Sequence, residues 1–504
     1  MLTAYRAEAG RLIQWCIVSE PQRSLNAAQR SSVHELVRSV PVIRGVGEKF
    51  AGAGHEIALV GGCVRDALLD RFNPGLDSDL DFTTSARPDE IEQCLTGWAD
   101  AHWDVGRDFG TIGARVGARR LEITTYRSDS YDPGSRKPGV TFGDSLRGDL
   151  GRRDFTVNAM ALRLPAQEFV DPFGGLGDLA EGVLRTPGAP ETSFSDDPLR
   201  MMRAARFLAQ LGFTVAPEVV RAMHSLAARI DIVSAERVRV ELVKLVEAPY
   251  PRLGLMLFVE TGLADRVLPE LPALRLERDE HHRHKDVYEH TLTVLDQAVA
   301  LEPRILGSEP DFVTRFAALL HDIGKPRTRR FAADGSVTFH HHDVVGAKLT
   351  KKRMAALRFP RDETAAVARL VELHLRFHGY GSGEWTDSAV RRYVRDAGPL
   401  LERLHVLTRA DCTTRNTQKA EQLRRSYDDL EKRIGRLAAE EELAAIRPDL
   451  DGQQIMATLG ISPGPAVGDA YRFLLERRLD EGPLGEERAR EELLTWWSAR
   501  DSPG

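Results

Sequence analysis

Cysteine, long apolar runs and a surplus of charge of one sign are all scarce in this sequence of 504 residues. Only four cysteines occur, and no two of them form a CxxC pair. They stand at Cys16, Cys63, Cys94 and Cys412. This spacing excludes a disulfide framework and a zinc ribbon, and it favours reduced cytosolic thiols. The longest N-terminal apolar stretch, Leu12 to Val18, is interrupted by Gln14 and is too short to span a membrane. It also lacks the flanks of a signal peptide, so we expect a cytoplasmic protein.

The charges are nearly balanced, with a slight acidic excess. The chain carries 69 Lys and Arg against 75 Asp and Glu, a net charge of −6. Because nucleic-acid-binding domains usually present a basic surface, this balance weighs against a nucleic-acid partner. Hydrophobic residues at 42% and charged residues at 29% are typical of a globular protein and exclude a disordered or collagen-like chain. At roughly 150 residues per domain, the length predicts about three domains.

The chain changes from mixed to helical patterns along its length. Residues 1–30 show little pattern and are expected to form an extension. Short strand-like runs separated by Gly and Asp turns then extend to about Val170. These runs are Ile57–Val60, Leu80–Thr83, Gly110–Val116 and Leu121–Thr125. The segment Tyr131–Leu146, rich in Gly, Pro, Asp and Ser, is expected to be a mobile loop between two strands. Beyond about Pro198, apolar residues recur at helical spacing almost throughout.

An alternating run of acidic and apolar residues marks one of these strands. Because side chains alternate between the faces of a strand, Asp79 and Asp81 are predicted to share one face, while Leu80 and Phe82 enter the core. Two adjacent carboxylates repel each other unless a cation lies between them, and oxygen ligands of this kind suit Mg²⁺. The alternative is a polar turn, since Asp77-Ser-Asp is also turn chemistry.

A double glycine precedes this acidic strand. The segment Leu59–Asp66 has the pattern of a strand, a Gly61-Gly62 turn and the start of a helix. A glycine turn lets phosphates approach the backbone, and the helix N-terminus offers free N–H donors. Arg65 is predicted to add a bidentate phosphate clamp. Together with the nearby acidic strand, this pattern indicates metal-dependent phosphoryl or nucleotidyl transfer.

These motifs resemble those of the polymerase-β-type nucleotidyltransferases, and specifically the class II tRNA CCA-adding enzymes. The resemblance extends over about 190 residues and follows the family's order of motifs. The segments that carry it are Gly61–Asp66, Asp79–Asp81, Arg152–Met160, Asp171–Leu179, Asp196–Phe207 and Glu236–Leu242. Two features depart from the family pattern. Residues 73–78 lengthen the segment before Asp79, and Asp196 stands where the family usually has Glu.

The resemblance implies roles for individual residues. Asp79 and Asp81 would be the catalytic carboxylates that hold Mg²⁺. Contacts to the nucleotide are implied for Gly62, Arg65, Arg153, Arg203 and Arg206. Asp197 and Arg200 would form a protein template that reads the edge of C or A, since helical positions i and i+3 share a face. On sequence alone, these residues could also form a surface helix with ion pairs.

Two further acidic residues stand near these motifs. Glu122, on the Leu121–Thr125 strand, is a possible third metal ligand, although a solvated strand face is favoured. Asp154 is expected to orient its neighbouring arginines.

Histidines and aspartates form a second pattern further along the chain. His321-Asp322 follows an apolar helical run, with His290 upstream and Asp411 downstream. In this order they resemble the HD-superfamily phosphohydrolases. The mixed nitrogen and oxygen ligands suit Mn, Ni, Co or Fe, and His342 and His374 are available for a second metal. The alternative is inert buried His–Asp hydrogen bonding.

A basic stretch and a helical tail complete the chain. Between Lys325 and Arg361 there are ten Lys and Arg residues against Asp334 and Asp343. Such a stretch can track phosphates, or it can be a solvated helix face. The segment Gly460–Gly468 is predicted to be a turn that enters a helix, in a tail where tRNA contacts are plausible. Trp496 and Trp497 are expected to be core anchors rather than base-stacking groups.

The predicted fold is an α+β multidomain protein with a small mixed α/β head followed by helices. Its domains are an extension (1–30), a nucleotidyltransferase head (31–180), an all-α neck (181–265), an HD domain (266–415) and a helical, RNA-binding tail (416–504). The predicted function is addition of CCA to tRNA 3′ ends from CTP and ATP, with additional HD phosphohydrolase activity. Expected partners are tRNA, CTP and ATP, with no membrane and no obligate protein partner.

Other functions stay open on sequence grounds. A bacterial poly(A) polymerase shares the head motifs, although members of that branch tend to have a strongly basic C-terminal extension, and residues 480–504 are not basic. Partial enzymes that add only CC or only A are also possible. Alarmone synthetase-hydrolases combine similar domains, but with the HD domain first. A catalytically inactive RNA-binding module is disfavoured, because it has no need for clustered carboxylates.

Overall fold

The computed structural model describes most of the chain. The described residues are 24–75, 79–130, 139–143, 145–275, 286–305, 310–331, 333, 337–377, 385–413, 417–441 and 446–500. The chain divides into two compact units, Met1–Pro269 and Glu270–Gly504. The predicted extension falls mostly outside the described residues, as do residues 76–78 and, in the predicted 131–146 loop, residues 131–138 and 144.

A seven-stranded sheet forms the centre of the first unit. Its strands are β1 (Ile57–Val60), β2 (Asp79–Thr84), β3 (Ala101–Trp103), β4 (Thr111–Val116), β5 (Arg119–Thr125), β8 (Ala161–Leu164) and β9 (Glu168–Val170). They are arranged in the order β3-β4-β5-β2-β1-β8-β9. Within this sheet, the described pairs are antiparallel except for β2–β5, which is parallel. The predicted strands are thus confirmed, with ends shifted by up to two residues.

A hairpin outside the main sheet corrects the predicted loop. Strands β6 (Arg127–Ser130) and β7 (Gly139–Phe142) pair antiparallel. Part of the segment predicted as a loop is therefore a strand, because backbone pairing with β6 overrides its turn-rich composition. Short strand pairs also occur beyond Val170, where the sequence predicts helices almost throughout. They are β10 (Val183–Leu184) with β11 (Thr214–Val215), and β12 (Arg330–Phe331) with β13 (Val337–Thr338).

Helices surround and follow the sheet in the first unit. They are α1 (Ala27–Ser39), α2 (Pro41–Gly52), α3 (Gly62–Leu68), α4 (Pro88–Leu95), α5 (Leu146–Gly151), α6 (Gly175–Glu181), α7 (Pro190–Asp196), α8 (Leu199–Leu211), α9 (Pro217–Leu226), α10 (Ala235–Glu247), α11 (Pro251–Glu260) and α12 (Leu263–Val267). Helix α2 packs on β1 and β8, and α8 packs against α10 and α11. The small residues Ala205 and Ala209 let α11 approach α8 at Gly254, where an added Cβ would lie 2.4 Å from the Ala205 carbonyl oxygen.

In its described residues, the second unit is helical apart from the β12–β13 hairpin. Its helices are α13 (Val287–Leu301), α14 (Phe312–Leu320), α15 (Lys325–Thr328), α16 (His342–Ala356), α17 (Arg361–Leu373), α18 (Asp387–Ala397), α19 (Leu401–Ala410), α20 (Thr417–Glu441), α21 (Gly452–Leu459), α22 (Pro465–Glu481) and α23 (Glu486–Arg500). Helices α13, α14, α17 and α19 pack on one another and α16 packs on α17. No helix in the described ranges is long and apolar enough to cross a membrane.

The C-terminal helices have a small core of their own. Helices α21, α22 and α23 bury Leu450, Ile455 and Leu474 among other residues. The Trp496 ring stacks on Phe473 with ring centroids 4.9 Å apart, which confirms Trp496 as a core anchor. The predicted turn before α22 is also confirmed, with left-handed Gly460 ending α21 and α22 beginning at Pro465.

Candidate active site and candidate metal centre

The two aspartates of β2 lie on one face of the strand, as predicted. Asp79 and Asp81 are exposed, while Leu80 and Phe82 are buried in the core. Loss of surrounding water raises the pKa of Asp81, Arg153 opposes this shift, and Asp79 adds to it. The two carboxylates therefore repel each other, and a cation bound beside them would stabilise both.

Glu122 is a third carboxylate on this face. In the parallel pairing of β2 with β5, Glu122 stands directly opposite Asp81. Its side chain is exposed, which fits the favoured sequence interpretation of a solvated strand face. However, partial burial raises its pKa, and the charges of Asp81 and Asp79 add to that shift. The alternation of side chains along β5 places Glu122 on one face of that strand. Only the parallel pairing of β5 with β2 shows that Glu122 lies opposite Asp81.

The Gly61-Gly62 turn lies beside these carboxylates. Of its two residues, Gly61 has the backbone conformation that requires glycine. Gly61 has a φ of +77°, which L side chains rarely adopt. An added Cβ would lie 3.4 Å from an Arg153 guanidinium nitrogen and 3.5 Å from Asp81 Oδ2. Gly62, the predicted nucleotide contact, begins helix α3. The Cys63 thiol donates to the Asp79 carbonyl at 3.3 Å and so ties the turn to β2.

Arg65 has different partners from those predicted. It is buried, and its Nε and Nη2 donate to the two carboxylate oxygens of Asp66, each at 2.8 Å. Its Nη1 donates to Asn158 Oδ1 at 2.7 Å. In this structure the adjacent Asp66 and the more distant Asn158 satisfy the guanidinium inside the protein, and the arrangement holds the glycine turn in shape. The phosphate contact of Arg65 stays a prediction.

Arg153 is the predicted arginine that lies closest to the acidic face. Its guanidinium lies beside Gly61 and is partly exposed. Asp149, which is fully buried, lies 3.6 Å from Arg153 Nη2 and accepts from Arg152. Burial would raise the pKa of Asp149, but the two arginines lower it below its usual value. The sequence interpretation assigned this orienting task to Asp154, so Asp149 is a residue that it missed.

Asp154 instead holds an arginine of helix α8. Asp154 Oδ2 accepts from Arg203 Nε at 2.7 Å, and its Oδ1 accepts from Asn158 Nδ2 at 3.0 Å. Burial would raise the pKa of Asp154, but Arg203 and these hydrogen bonds lower it. Asn158 thus bridges Arg65 and Asp154, a link that sequence spacing does not reveal.

The two outer arginines of α8 differ in exposure. One third of the Arg203 side chain is exposed, whereas Arg206 is buried with its Nε 3.0 Å from Glu241 Oε2. Burial and the nearby Arg203 lower the pKa of Arg206 to about 10. Glu241 of α10 and the Phe207 ring, whose centroid is 4.2 Å from the Arg206 guanidinium carbon, hold Arg206 inside the protein. The contact of both arginines with the triphosphate or primer stays a prediction.

The predicted template residues do not share a helix face. Helix α8 begins at Leu199, so Asp197 precedes it, and Asp197 Oδ1 accepts from the Leu199 N–H at 3.1 Å. Asp197 Oδ2 accepts from Arg237 at 2.9 Å. Arg200 is buried and donates to Ser193 Oγ at 2.8 Å and to the Arg152 carbonyl. The i, i+3 argument therefore fails here, because Pro198 marks the helix start and leaves Asp197 with extended backbone.

The second unit brings the predicted histidines and aspartates together. Two groups of three side chains have ligand atoms within 4.8 Å of one another. They are His290, His321 and Asp411, and Asp322, His342 and His374. Asp322 joins the groups, since its Oδ2 lies 3.2 Å from His321 Nε2 and its Oδ1 lies 3.3 Å from His342 Nε2. The structure thus divides the predicted ligands between two adjacent positions.

Helix ends explain how the imidazoles are oriented. Nδ1 of His321, His342 and His374 bonds the carbonyl oxygen three residues earlier, at 2.8, 2.8 and 2.6 Å. His321 and His374 stand at the C-terminal ends of α14 and α17, where helix carbonyls lack intrahelical partners. These bonds turn Nε2 of each ring towards the centre, as expected for metal ligands.

The electrostatics of this centre keep its carboxylates ionised. Burial would raise the pKa of Asp322 and of Asp411, but the surrounding histidines lower both below the usual range. Burial, together with the charge of His321, lowers the pKa of His374 to about 4. The carboxylates are therefore ionised and His374 is neutral near pH 7, which are the forms that bind metal. A donor set of four histidines and two aspartates fits a transition-metal pair better than Mg²⁺.

The basic stretch is only partly a basic surface. Lys348, Lys351 and Lys352 are exposed on α16. Arg353 is instead half-buried and donates to Glu270 at 2.8 Å. The described cysteines Cys63, Cys94 and Cys412 form no disulfide, as predicted.

Carboxylates on a central strand beside a glycine turn and an arginine define the class of the first unit as a nucleotidyltransferase head, followed by a helical HD domain. Comparisons with known families agree. Residues 57–185 match the poly A polymerase head domain, 212–274 match the probable RNA- and SrmB-binding site of polymerase A, and 287–416 match the HD domain.

Individual relatives identify the family. The chain is 37% identical to the A-adding tRNA nucleotidyltransferase of Deinococcus radiodurans over 373 residues, which cover 72% of this chain and 82% of that protein. It is 42% identical to the CCA-adding enzyme of a Geobacillus species over 228 residues, or 45% of this chain and 53% of that enzyme. The matches to such CCA-adding enzymes thus span about half of their length. The chain belongs to the tRNA nucleotidyltransferase family and is an enzyme.

Solved structures share the fold. The Bacillus stearothermophilus CCA-adding enzyme in complex with CTP has a TM-score of 0.63 and 25% identity, covering 92% of this chain and 98% of that one. The Thermotoga maritima CCA-adding enzyme complexed with tRNA-CCA has a TM-score of 0.59 and 19% identity, covering 93% and 98%. The predicted α+β fold, with its mixed head and helical remainder, is therefore confirmed.

Proposed function

We propose that this enzyme adds C, C and A to the 3′ end of tRNA from CTP and ATP in the cytoplasm. The observation that carries the proposal is the carboxylate face of β2 beside Gly61 and Arg153. Relatives named for CCA addition and for A addition support tRNA as the acceptor. The domain limits 31–180, 181–265, 266–415 and 416–504 remain part of this proposal.

The acidic face would hold Mg²⁺ through Asp79 and Asp81, with Glu122 as a third oxygen ligand. Bound there, Mg²⁺ supplies charge neutralisation for the triphosphate and lowers the pKa of the attacking hydroxyl. The 3′ oxygen of the tRNA forms a bond to the α-phosphorus, and the bond to pyrophosphate breaks. Arg153 and the exposed part of Arg203 are the cations available to the phosphates, because Arg65 and Arg206 are occupied inside the protein.

Selection of C and A follows from the exocyclic amino group that both bases carry. The Asp197 carboxylate can accept from this amino group, and U lacks such a donor. Arg200 would have to exchange its bond to Ser193 for a base acceptor, whereas Arg237 already pairs with Asp197 at the surface. We therefore propose Asp197 as the primary reader, with Arg200 or Arg237 donating to the ring.

Nucleotide addition to a truncated tRNA tests this function. A tRNA that ends at its discriminator base is incubated with CTP, with ATP, and with both, and the products are sized on a sequencing gel. Growth by three nucleotides that requires both substrates and then stops is the expected result. A long A-tail formed from ATP alone indicates a poly(A) polymerase and contradicts the proposal.

Addition of the terminal A alone is a second candidate function. The A-adding Deinococcus relative matches 72% of this chain, whereas the match to the Geobacillus CCA-adding enzyme covers 45%. The same assay with a tRNA that already ends in CC separates the two. Extension of that substrate by ATP, with no use of CTP on the shorter tRNA, would replace CCA addition by A addition.

The HD centre supports an additional phosphohydrolase activity. The six ligands would hold two ions of Mn, Ni, Co or Fe, which would supply activation of water and neutralisation of the phosphoryl charge. In the reaction, a water oxygen bonds to phosphorus, the ester P–O bond breaks, and the alcohol leaves with a proton. Metal analysis of the purified protein and hydrolysis of bis(p-nitrophenyl) phosphate by wild type and His374→Ala test this activity. Equal rates in the two proteins would contradict it.

A further inference from the structure

An exposed hairpin connects two segments that line the HD centre. In this hairpin, Arg330 of β12 pairs with Thr338 of β13, and Phe331 pairs with Val337. Helix α15 precedes β12, and helix α16 follows β13. The hairpin belongs to the basic stretch, whose surface is not used by the functions described above.

Both ends of the hairpin are attached to the HD centre. On one side, Lys325 Nζ donates to Asp322 Oδ2 at 2.5 Å. On the other side, the Phe339 carbonyl accepts from His342 Nδ1 at 2.8 Å. The two sides also touch, since a Cβ added to Gly324 would lie 2.0 Å from the His342 carbonyl oxygen. The described hairpin residues are therefore held at the edge of the metal ligands.

The hairpin presents positive charge and an uncovered aromatic ring. Phe331 is 66% exposed, and the Arg329 guanidinium lies 5.2 Å from the centroid of its ring. Arg327 and Arg330 are exposed on either side of Arg329. His340, at the other end of the hairpin, is exposed as well. An aromatic platform with adjacent guanidinium groups is the pattern with which proteins bind unpaired bases and their phosphates.

The same positive surface continues along helix α16. Lys348, Lys351 and Lys352 are exposed at spacings of three and four residues, so they lie on one side of the helix. Helix α16 begins at His342, a ligand of the centre. A flexible polyanion that lies along these lysines would therefore pass the metal centre on its way to the hairpin.

These features favour a single-stranded RNA over other polyanions. A protein ring stacks on a base face only where that base is not already stacked in a duplex. An anionic membrane would match the charge, but one exposed phenylalanine offers little apolar area for insertion. The chain also belongs to a family of tRNA-modifying enzymes.

We propose that Arg327, Arg329, Arg330 and Phe331, together with the exposed lysines of α16, dock a single-stranded RNA, with a base on Phe331 and phosphates along the cations. The docked strand presents a phosphoester to the HD centre, and this last step rests on the phosphohydrolase activity proposed above.

Fluorescence anisotropy of the full-length protein with a labelled ten-uridine RNA tests the docking surface. Phe331→Leu keeps an apolar side chain but removes the ring, and it should weaken binding roughly 5- to 100-fold, as expected for the loss of one stacked base. Phe331→Trp should bind at least as tightly as wild type. Arg330→Ala should lower the slope of log affinity against log salt by about 0.7 for one lost phosphate contact. Arg38→Ala, an exposed arginine of α1 that pairs with Glu35, is the matched control and should leave binding unchanged.

Three results would overturn the docking surface. They are wild-type affinity in Phe331→Leu, equal affinity for the same strand annealed into a duplex, and binding of anionic phospholipid vesicles without binding of the RNA. Hydrolysis of bis(p-nitrophenyl) phosphate by wild type is measured in the same preparation. Ring-dependent RNA binding without any hydrolysis would keep the docking surface and remove the phosphohydrolase, so the two failures are distinguishable.

Discussion

The role of each arginine in this enzyme depends on the acidic side chain with which it pairs. Arg65 and Arg206 belong to motifs typical of nucleotide binding, yet Asp66, Asn158 and Glu241 hold them inside the protein. Arg153 keeps part of its guanidinium open beside Asp81, because its acidic partner Asp149 lies on the buried side. The number of arginines in a motif therefore overstates the number that can meet a phosphate.

Glu122 gives a prediction at this scale. Glu122→Gln removes a charge opposite Asp81 but keeps the shape of the side chain. If Glu122 helps to hold Mg²⁺, kcat for nucleotide addition should fall by about 10- to 100-fold in this variant. A higher Mg²⁺ concentration should restore part of the lost kcat. The matched control is Glu168→Gln on β9, an exposed strand glutamate paired with Arg163. Equal kcat values in the two variants at limiting Mg²⁺ would assign Glu122 to the solvated strand face.

His405 gives a second prediction, on pH dependence. His405 is buried in α19, where burial lowers its pKa to about 4, Glu431 opposes this shift, and Arg409 and Arg304 add to it. The unfolded chain protonates this residue below about pH 6.5 while the native protein does not. The free energy of unfolding should therefore fall as pH drops from about 6.5 to 4, by on the order of 3 kcal/mol from this group.

Denaturant unfolding at several pH values, with wild type and His405→Gln, measures this effect. Because groups away from position 405 are the same in both proteins, the difference between their pH profiles reports His405 together with its neighbour Glu431. A wild-type profile that parallels the variant over this range would contradict a neutral buried imidazole.

At the scale of secondary-structure elements, helix ends build the HD centre. His321, His374 and Asp411 each stand directly after a helix, and His342 begins one. Helix termini leave backbone carbonyls free to orient imidazoles, so the centre depends on how closely these ends meet. The tightest approach is at Gly324, between α14 and α16.

Gly324→Ala is predicted to damage the HD centre. The added methyl group would meet the His342 carbonyl at 2.0 Å, so the start of α16 must shift and move His342 away from Asp322. Bound transition metal, measured by mass spectrometry, should fall together with phosphodiester hydrolysis. The control is Gly435→Ala in α20, where an added Cβ meets nothing within 4 Å and alanine favours the helix by about 0.5–1 kcal/mol. Full metal content in Gly324→Ala would contradict this prediction, because it would show that the structure around Gly324 accommodates the methyl group without moving His342.

At the scale of the whole molecule, the chain consists of two compact units, each with its own candidate site. The carboxylate face lies in Met1–Pro269, and the six HD ligands lie in Glu270–Gly504. No side chain named in either site belongs to the other unit. The two chemistries should therefore be separable by substitution.

Separate inactivation is the prediction at this scale. Asp79→Asn with Asp81→Asn should abolish nucleotide addition, because the oxygen ligands lose their charge, while phosphodiester hydrolysis continues. His374→Ala should have the opposite effect. Both activities and the melting temperature are measured on each preparation. Loss of both activities in His374→Ala at an unchanged melting temperature would show that the sites are coupled.

Much of this protein was determined by local sequence. The strands β1, β2, β4 and β5, the orientation of Asp79 and Asp81 and the adjacent pair His321-Asp322 follow from patterns a few residues long, because side-chain alternation and adjacent motif residues are local properties. The more distant HD ligands were predicted from their order along the chain and from the family resemblance. The net charge of −6 was a poor guide, since it averages over surfaces as different as the β2 face and helix α16.

The partners of charged side chains were decided only by tertiary structure. Glu122 meets Asp81 because β2 and β5 pair in parallel across about forty residues of chain, and Asn158 bridges Arg65 to Asp154 from another element. Asp197 and Arg200 are three residues apart, but Pro198 and distant groups turn them to different neighbours. A charge is stabilised by whatever opposite charge or hydrogen-bonding group the fold places within a few ångströms, and sequence separation does not limit that choice.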